Sequence, residues 1–346
     1  MRSVKSGGLA RPVIDIKSDC KSDCLVDATL AASVVVPTRD RNRQLERCLE
    51  AISRAIPSPI EVIVVDSAPL GEGAEAVARR WSARYVREVF PGASRARNTG
   101  ARIARGEIVA FTDDDAIPGS NWLVSILQEF LDPTIGMVAG KVVSPLGDFE
   151  CNYLHQLCGF SGQGDLRIVL GHDTPGWFES ITFLPFGLGP NLAIRREILQ
   201  RWGGFDERLG PGTAISGHEE QRAFLQLIDL GYRLVYTPKA IVSHPSEMLS
   251  VLQLRSRSLR RMQASSAYLT LLMVEEARFR KKLLQCIFRK LWRTIRATGG
   301  DYTKQLSGPR RLLARLQGPG LYLRSRWVHR VKRNSQSCSP VSPLST

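Results

Sequence analysis

The 346-residue chain has no run of 18 uninterrupted apolar residues, so a conventional transmembrane helix is not expected. Its opening residues hold no apolar stretch long enough for a signal-peptide core, and secretion is not expected either. There is no G-x-x-x-x-G-K-[ST], which excludes a P-loop ATPase, and no G-x-G-x-x-G after the first predicted strand, which disfavours a dinucleotide site. The cysteines are seven, an odd number: Cys20, Cys24, Cys48, Cys151, Cys158, Cys286 and Cys338. Cys20-x3-Cys24 has no second pair at ligand spacing, so reduced thiols are expected rather than structural zinc. Acidic residues are scarce toward the C-terminus. Residues 251–346 hold 21 Lys and Arg against 3 Asp and Glu, net +18, whereas the first 250 hold 27 against 30, net −3. A pI near 9.9 suggests nucleic acid. The split instead describes a near-neutral domain carrying a basic C-terminal extension, and nucleic-acid binding is not expected of it.

What the sequence does have is alternation. Residues 1–30 are polar and without periodicity. An apolar run, residues 31–36, ends at Pro37, and Leu45, Cys48, Leu49 and Ile52 follow at helical spacing. A β-branched run over residues 60–65 ends at Asp66. A helix over 75–83, a short strand over 84–89 and a helix near 96–104 lead to a third apolar strand, 107–112, which runs into Asp113, Asp114 and Asp115. Short apolar strands alternating with helices predict an α/β domain with a mostly parallel sheet. In such sheets ligands sit beyond the carboxyl ends of the strands. Three polar clusters lie there: Pro37-Thr38-Arg39, Asp66-Ser67 and the triple aspartate. Residues 144–190, rich in Gly, Pro and aromatics, read as loops. Helices are predicted over 191–202 and 217–230, a strand over 233–236, and a long helical stretch over 249–297.

Clustered carboxylates repel one another and call for a cation, and hard oxygen donors favour Mg²⁺ or Mn²⁺. The same cluster could be a solvated turn, but its place after a buried strand, beside two other polar strand ends, favours a metal. The segment 90–100 joins a Gly-containing turn, Arg95 and Arg97, and a helix start, which suits phosphate as well as it suits an ordinary surface helix. Glu219 and Glu220 open a helix, where acidic groups stabilise the dipole; either could also be a general base. His244 ends a strand and could be structural, a metal ligand or a phosphate contact.

These pieces occur in an order that resembles the inverting glycosyltransferases of family two, over roughly residues 32–244. The matching stretches are VVVPTRDR, VVDSA, PGASRARNTG, IVAFTDDDAIPGSNWL, GPNLAIRREIL, GGFDERLG and GHEEQRAFLQLIDLGYRLVYTPKAIVSH. The resemblance implies a GT-A fold, a nucleotide-sugar-binding, mostly parallel sheet flanked by helices. It implies a metal-dependent inverting transfer of one sugar from a nucleoside-diphosphate sugar to a hydroxyl-bearing glycan or lipid-linked acceptor, in cell-surface polysaccharide or glycolipid synthesis. By position, Pro37, Thr38, Arg39 and Asp66 match base-holding residues, and Arg97 and Asn98 match a pair near the nucleotide. Asp113 and Asp115 match the outer positions of the DxD motif, Asp115 as metal contact and Asp113 near ribose and metal, with His244 a further candidate ligand. Gly189, Pro190 and Asn191 match the segment beside the donor sugar. Glu220 aligns with the catalytic base, with Glu219 as its alternate; the family usually has Glu-Asp here. The Q-x-x-R-W motif of processive synthases does not follow Glu220, which implies single-sugar transfer. The competing readings are a metal-dependent nucleotidyltransferase and a nucleic-acid-binding protein acting through the basic tail.

The expected organisation is a polar tail over 1–31, the GT-A domain over 32–249, an amphipathic helical extension over 250–297 and a basic tail over 298–346. Between Lys281 and Arg296, apolar Leu283, Leu284, Ile287, Phe288, Leu291, Trp292 and Ile295 cover about half a helix at ~100° per residue, and Lys282, Arg289, Lys290, Arg293 and Arg296 cover the rest. Such a helix lies on an anionic membrane surface, or packs its apolar face on the domain. Arg310, Arg311 and the basic cluster around Trp327 add charge. The expected location is cytoplasmic, peripheral on the inner face of a membrane.

Overall fold

The structure is a computed structural model and describes residues 31–55, 58–59, 61–143, 165–183, 186–244, 251–296 and 308–337. Its centre is a nine-stranded sheet of order β3-β2-β1-β4-β8-β6-β9-β5, with β7 on β9. The strands are β1 (Ala32–Thr38), β2 (Glu61–Ser67), β3 (Arg84–Glu88), β4 (Ile108–Phe111), β5 (Ile117–Pro118), β6 (Ile135–Val143), β7 (Ile168–Leu170), β8 (Leu192–Arg195) and β9 (Arg233–Ser243). β1, β2, β3, β4, β6 and β9 run one way; β5, β7 and β8 run against them. The sheet is thus mixed and mostly parallel.

Both faces of the sheet are covered, which is why its strands are apolar at successive positions. Val35, Ile63, Val65, Val109 and Phe111 belong to one core, and the alternating Val34, Val36, Val64, Ile108 and Ala110 to the other. Helices α1 (Asn42–Ser53), α2 (Gly73–Arg80) and α4 (Trp122–Glu129) feed the second core through Leu45, Cys48, Val77, Trp122 and Leu123. Helix α3 (Ala93–Ile103) lies on the first face, close enough that a Cβ on Gly100 would meet Val35 Cγ1 at 2.4 Å. Cys48 and Cys286 are buried and in no disulfide; Cys20, Cys24, Cys151, Cys158 and Cys338 lie outside the described residues.

Three expectations need correction. Residues 191–202 are not one helix: β8 inserts antiparallel between β4 and β6, and only Arg196–Trp202 (α6) is helical. Residues 144–190 are not all loop, for β7 and helix α5 (Trp177–Phe183) lie within them, residues 144–164 being outside the described set. The strand from Arg233 reaches Ser243, because it pairs with β6 over nearly its whole length.

Beyond α7 (Glu219–Asp229), the chain forms α8 (Val251–Glu275), a 3₁₀ turn (Ala277–Phe279), α9 (Arg280–Arg296), α10 (Gly308–Leu316) and α11 (Gly318–Ser337). Helices α8, α9 and α11 and the 3₁₀ turn share the first core: Ala264, Ala267, Tyr268, Leu271, Leu272, Phe279, Leu283 and Tyr322 are buried with Phe111 and Phe224. The apolar arc expected on α9 is therefore divided. Leu283 and Cys286 face the protein, whereas Leu284, Ile287 and Phe288 are exposed; the side chains of Leu291, Trp292 and Ile295 lie outside the described set. No described helix is long and apolar enough to cross a membrane.

Candidate functional site

The parallel strands β1, β2 and β4 end together and bring Thr38, Asp66 and the triple aspartate to one rim of the sheet. β5, two residues past Asp115, pairs antiparallel with the end of β9, with Ile117 opposite Ser243. That pairing carries His244 to the aspartates: its Nε2 lies 3.0 Å from Asp115 Oδ1. Ligand atoms of Asp113, Asp115 and His244 all fall within 4.8 Å of one another, the one such group found among the described residues. Two carboxylates and an imidazole at this spacing fit a divalent cation of the Mg²⁺ or Mn²⁺ kind. Burial disfavours the Asp115 charge, but the hydrogen bond and charge of His244, with Arg41, outweigh it and hold its pKa below the ordinary value.

The middle aspartate has a different task. Asp114 points inward, accepts a 2.7 Å hydrogen bond from Thr38 Oγ1 and is raised to about 6, chiefly by burial. Arg41, to which the sequence assigned no role, bridges Asp114 at 3.2 Å and Asp115 at 2.8 Å. Asp66, almost wholly buried, accepts a 3.1 Å bond from the Tyr85 hydroxyl, and burial raises its pKa. Pro37 is buried in β1 opposite Val65, while Arg39 is exposed beside Asp40.

Arg97 joins the two halves of the site. Only 2% exposed, it donates to Asp113 at 2.9 Å and to Glu219 at 3.4 Å. Burial opposes its charge, but Asp113, Glu219 and Glu220 overcome that and raise its pKa. Glu219 is buried; loss of hydration raises its pKa, with Arg97 acting the other way. Glu220 is half-buried and its Oε1 accepts the Gly189 N–H at 2.9 Å. Loss of hydration first, and then the neighbouring Glu219, push it up to about 8. Gly189 is required there, since a Cβ would lie 2.4 Å from Arg97 Nη2 and 2.9 Å from Glu220 Oε1.

Asn98 and Asn191 stand in the site as braces. Asn98 donates to the Phe205 carbonyl and accepts the Phe205 N–H, both at 2.8 Å. Asn191 donates to the carbonyls of Lys141 and Ala240 and accepts from Trp122 Nε1. His218, the residue before the two glutamates, has φ +68 and stacks on Tyr268 of α8, centroids 4.7 Å apart and planes 6° apart. Its Nε2 is 3.0 Å from Ser265 Oγ, and burial lowers its pKa to about 4. No spacing in the sequence pointed to this contact, which links positions 47 residues apart.

Comparison with known proteins finds the family that the sequence motifs resemble. Residues 33–203 match the family described as Glycosyl transferase family 2. The chain is 33% identical over 159 residues to the pre-mycofactocin glycosyltransferase of Mycobacterium tuberculosis, covering 44% of this chain and 30% of that protein. It is 26% identical over 221 residues to glycosyltransferase AglE of Haloferax volcanii, covering 61% of this chain and 66% of that one. The chain thus spans between about a third and two thirds of these relatives. The mannosyltransferase PcManGT of Pyrobaculum calidifontis, solved in complex with GDP-Man and Mn²⁺, shares the fold: TM-score 0.50, 20% identity, 86% of each chain covered.

Proposed function

We propose, from the premise that residues 33–203 are a glycosyl transferase family 2 domain and the chain therefore a glycosyltransferase, that it moves one sugar from a nucleoside-diphosphate sugar to an acceptor hydroxyl with inversion. The observation that carries this is the opposition of two carboxylate sites across Arg97. Asp113, Asp115 and His244 stand on one side, and Glu220 with Gly189 on the other. Thr38, Arg39 and Asp66 at the strand ends, beside Pro37, hold the nucleotide. Arg97, Asn98 and Asn191 fix the walls around it. Asp113, Asp115 and His244 would hold Mg²⁺ or Mn²⁺, which when bound neutralises charge developing on the leaving diphosphate. The Mn²⁺ in the Pyrobaculum mannosyltransferase supports that reading.

Glu220 is the general base. Its raised pKa suits removal of a proton from the acceptor hydroxyl near neutral pH, as that oxygen attacks the anomeric carbon opposite the departing diphosphate. Glu219, sealed against Arg97, positions rather than reacts. The acceptor is a glycan or a lipid-linked sugar of envelope synthesis, and the enzyme works on the cytoplasmic, anionic face of a membrane.

The test is a panel of nucleotide sugars scored for donor hydrolysis with Mn²⁺ and after EDTA treatment. One donor should be cleaved only with metal present. Asp115→Ala should lose both this activity and calorimetric Mn²⁺ binding while unfolding as the wild type does. Full activity after complete metal removal would rule out the metal assignment.

A further inference from the structure

We infer that the face of α10 and α11 turned away from the protein is the surface that docks on an anionic membrane, rather than the arc of α9. The inference rests on the membrane reading proposed above and names its contact surface.

Helix α10 is built the wrong way round for a soluble protein. On a wheel of ~100° per residue, Leu312, Leu313 and Leu316 fall within one ~100° sector, with Ala314 opposite. Ala314 is the residue buried, at 3% exposure, whereas Leu312, Leu313 and Leu316 are 59%, 57% and 66% exposed. The inward contact is a close one of small groups: Ser266 Oγ donates to the Arg315 carbonyl, and just past the helix, at the start of α11, a Cβ on Gly318 would meet Ser266 Cβ at 2.4 Å. The helix is therefore pinned with its leucines outward. Exposed Arg310 and Arg315 flank the leucine sector on either side.

Helix α11 repeats the arrangement. Tyr322 and Ser325 face the protein, while Leu323 and Trp327, one helical turn apart, are 63% and 67% exposed. Arg324, Arg326 and Arg330 surround them, all exposed. Leucine and tryptophan ringed by arginine is the composition that enters the boundary between headgroups and acyl chains. The arginines supply attraction to anionic lipid, worth more near the surface and fading within about 8 Å at physiological salt. A protein partner would need acidic groups facing each of these arginines. A lipid surface supplies them everywhere, and the net +18 of residues 251–346 favours it. Helix α9 has already committed Leu283 and Cys286 to the core, and Lys282 Nζ lies 4.5 Å from the Trp177 ring.

The experiment is co-sedimentation of the full chain with phosphatidylcholine vesicles, with and without phosphatidylglycerol, at low and physiological salt. The substitutions lie on exposed side chains, so folding is checked by unchanged thermal unfolding. The wild type should bind the anionic vesicles and be released by salt. The triple variant Leu312→Ser, Leu313→Ser, Leu316→Ser, and separately Trp327→Ser, should weaken binding, the triple by about tenfold or more. Leu284→Ser with Phe288→Ser should bind nearly as the wild type does. If the triple variant binds unchanged while the Leu284 and Phe288 variant is lost, the surface is misplaced. If the wild type forms dimers through these leucines without vesicles, the occupant is a second copy and the inference fails. If the wild type stays in the supernatant at low salt, the membrane reading itself fails, whatever the variants do.

Discussion

Glu219 and Glu220 are adjacent in sequence yet differ in burial and in the group each one meets. Glu219 is sealed against a guanidinium; Glu220 touches one peptide N–H and keeps access to solvent. Glu220→Gln should therefore lower kcat by about 10²–10⁴-fold with donor affinity nearly unchanged in a direct binding assay. Glu219→Gln should harm stability and donor binding together, since it leaves Arg97 partnered on one side only. Normal turnover by Glu220→Gln, with loss in Glu219→Gln, would reverse the two roles. Both carboxyls have pKa values raised above those of the unfolded chain, so the fold binds protons more tightly than the unfolded state. Their contribution to stability is present below the ordinary glutamate pKa and lost as pH rises through the folded value. Melting temperature should fall with pH, toward about 8 for Glu220, while kcat climbs over the same interval; Glu220→Gln should flatten its share of both trends. These residues were legible in the sequence because they sit in contiguous motifs at strand and helix ends. Arg41 and Tyr85 were not, since Arg41 meets Asp115 across 74 residues and Tyr85 reaches Asp66 only because β2 and β3 pair.

At the scale of elements, helix α7, which bears Glu220, is set by a neighbour from far along the chain. His218 occupies a left-handed conformation at its start and is held flat against Tyr268. Tyr268→Ala removes that plate from a fully packed position and should cost about 3–5 kcal/mol in urea unfolding, with a fall in kcat as the start of α7 loosens. Tyr268→Phe keeps the plate and removes a buried hydroxyl that has no hydrogen-bond partner, so it should be neutral or slightly stabilising. A large loss in Tyr268→Phe would mean that the hydroxyl, not the ring, matters. The strands β1, β2 and β4 could be read from their β-branched runs, because burial on both faces demands such residues. β8 could not. Its Leu-Ala-Ile-Arg is as good a helix start as a strand, and only the open edges of β4 and β6 decide the matter. The helix over residues 177–183 was hidden by the glycines and prolines around it, although Trp177 and Phe178 are anchored on Phe279.

At the scale of the molecule, charge composition separated residues 251–346 from the rest, but packing does not. Arg208 pairs with Asp206 and Glu275, and Arg222 with Asp206, Glu275 and Glu276. The Tyr322 hydroxyl donates to Glu275 at 3.0 Å and Ser325 Oγ to the Arg208 carbonyl at 3.4 Å. Glu275→Ala takes one shared carboxylate from Arg208 and Arg222, which keep Asp206, and should cost about 1–3 kcal/mol, measured by chemical denaturation. A chain cut after His244 should be insoluble, or unfold without cooperativity, because its first core would lie open. Soluble, cooperative unfolding of that fragment would show the helices to be dispensable. The net charge of residues 251–346 was visible in composition; their joining to the helix that bears Glu220 was not, since each bond spans dozens of residues. The Tyr322–Glu275 contact also sets a schedule for synthesis. The sheet strands through β4 can pair as they emerge, but Arg208 and Arg222, met at once by Asp206, gain Glu275 only when α8 is made, and Glu275 gains its hydroxyl partner only when α11 is made. Until Tyr322 has left the ribosome, the nascent protein carries an ionic cluster that lacks its hydroxyl partner behind the helix that bears Glu220, so chains released before that point should unfold more easily than those released after it.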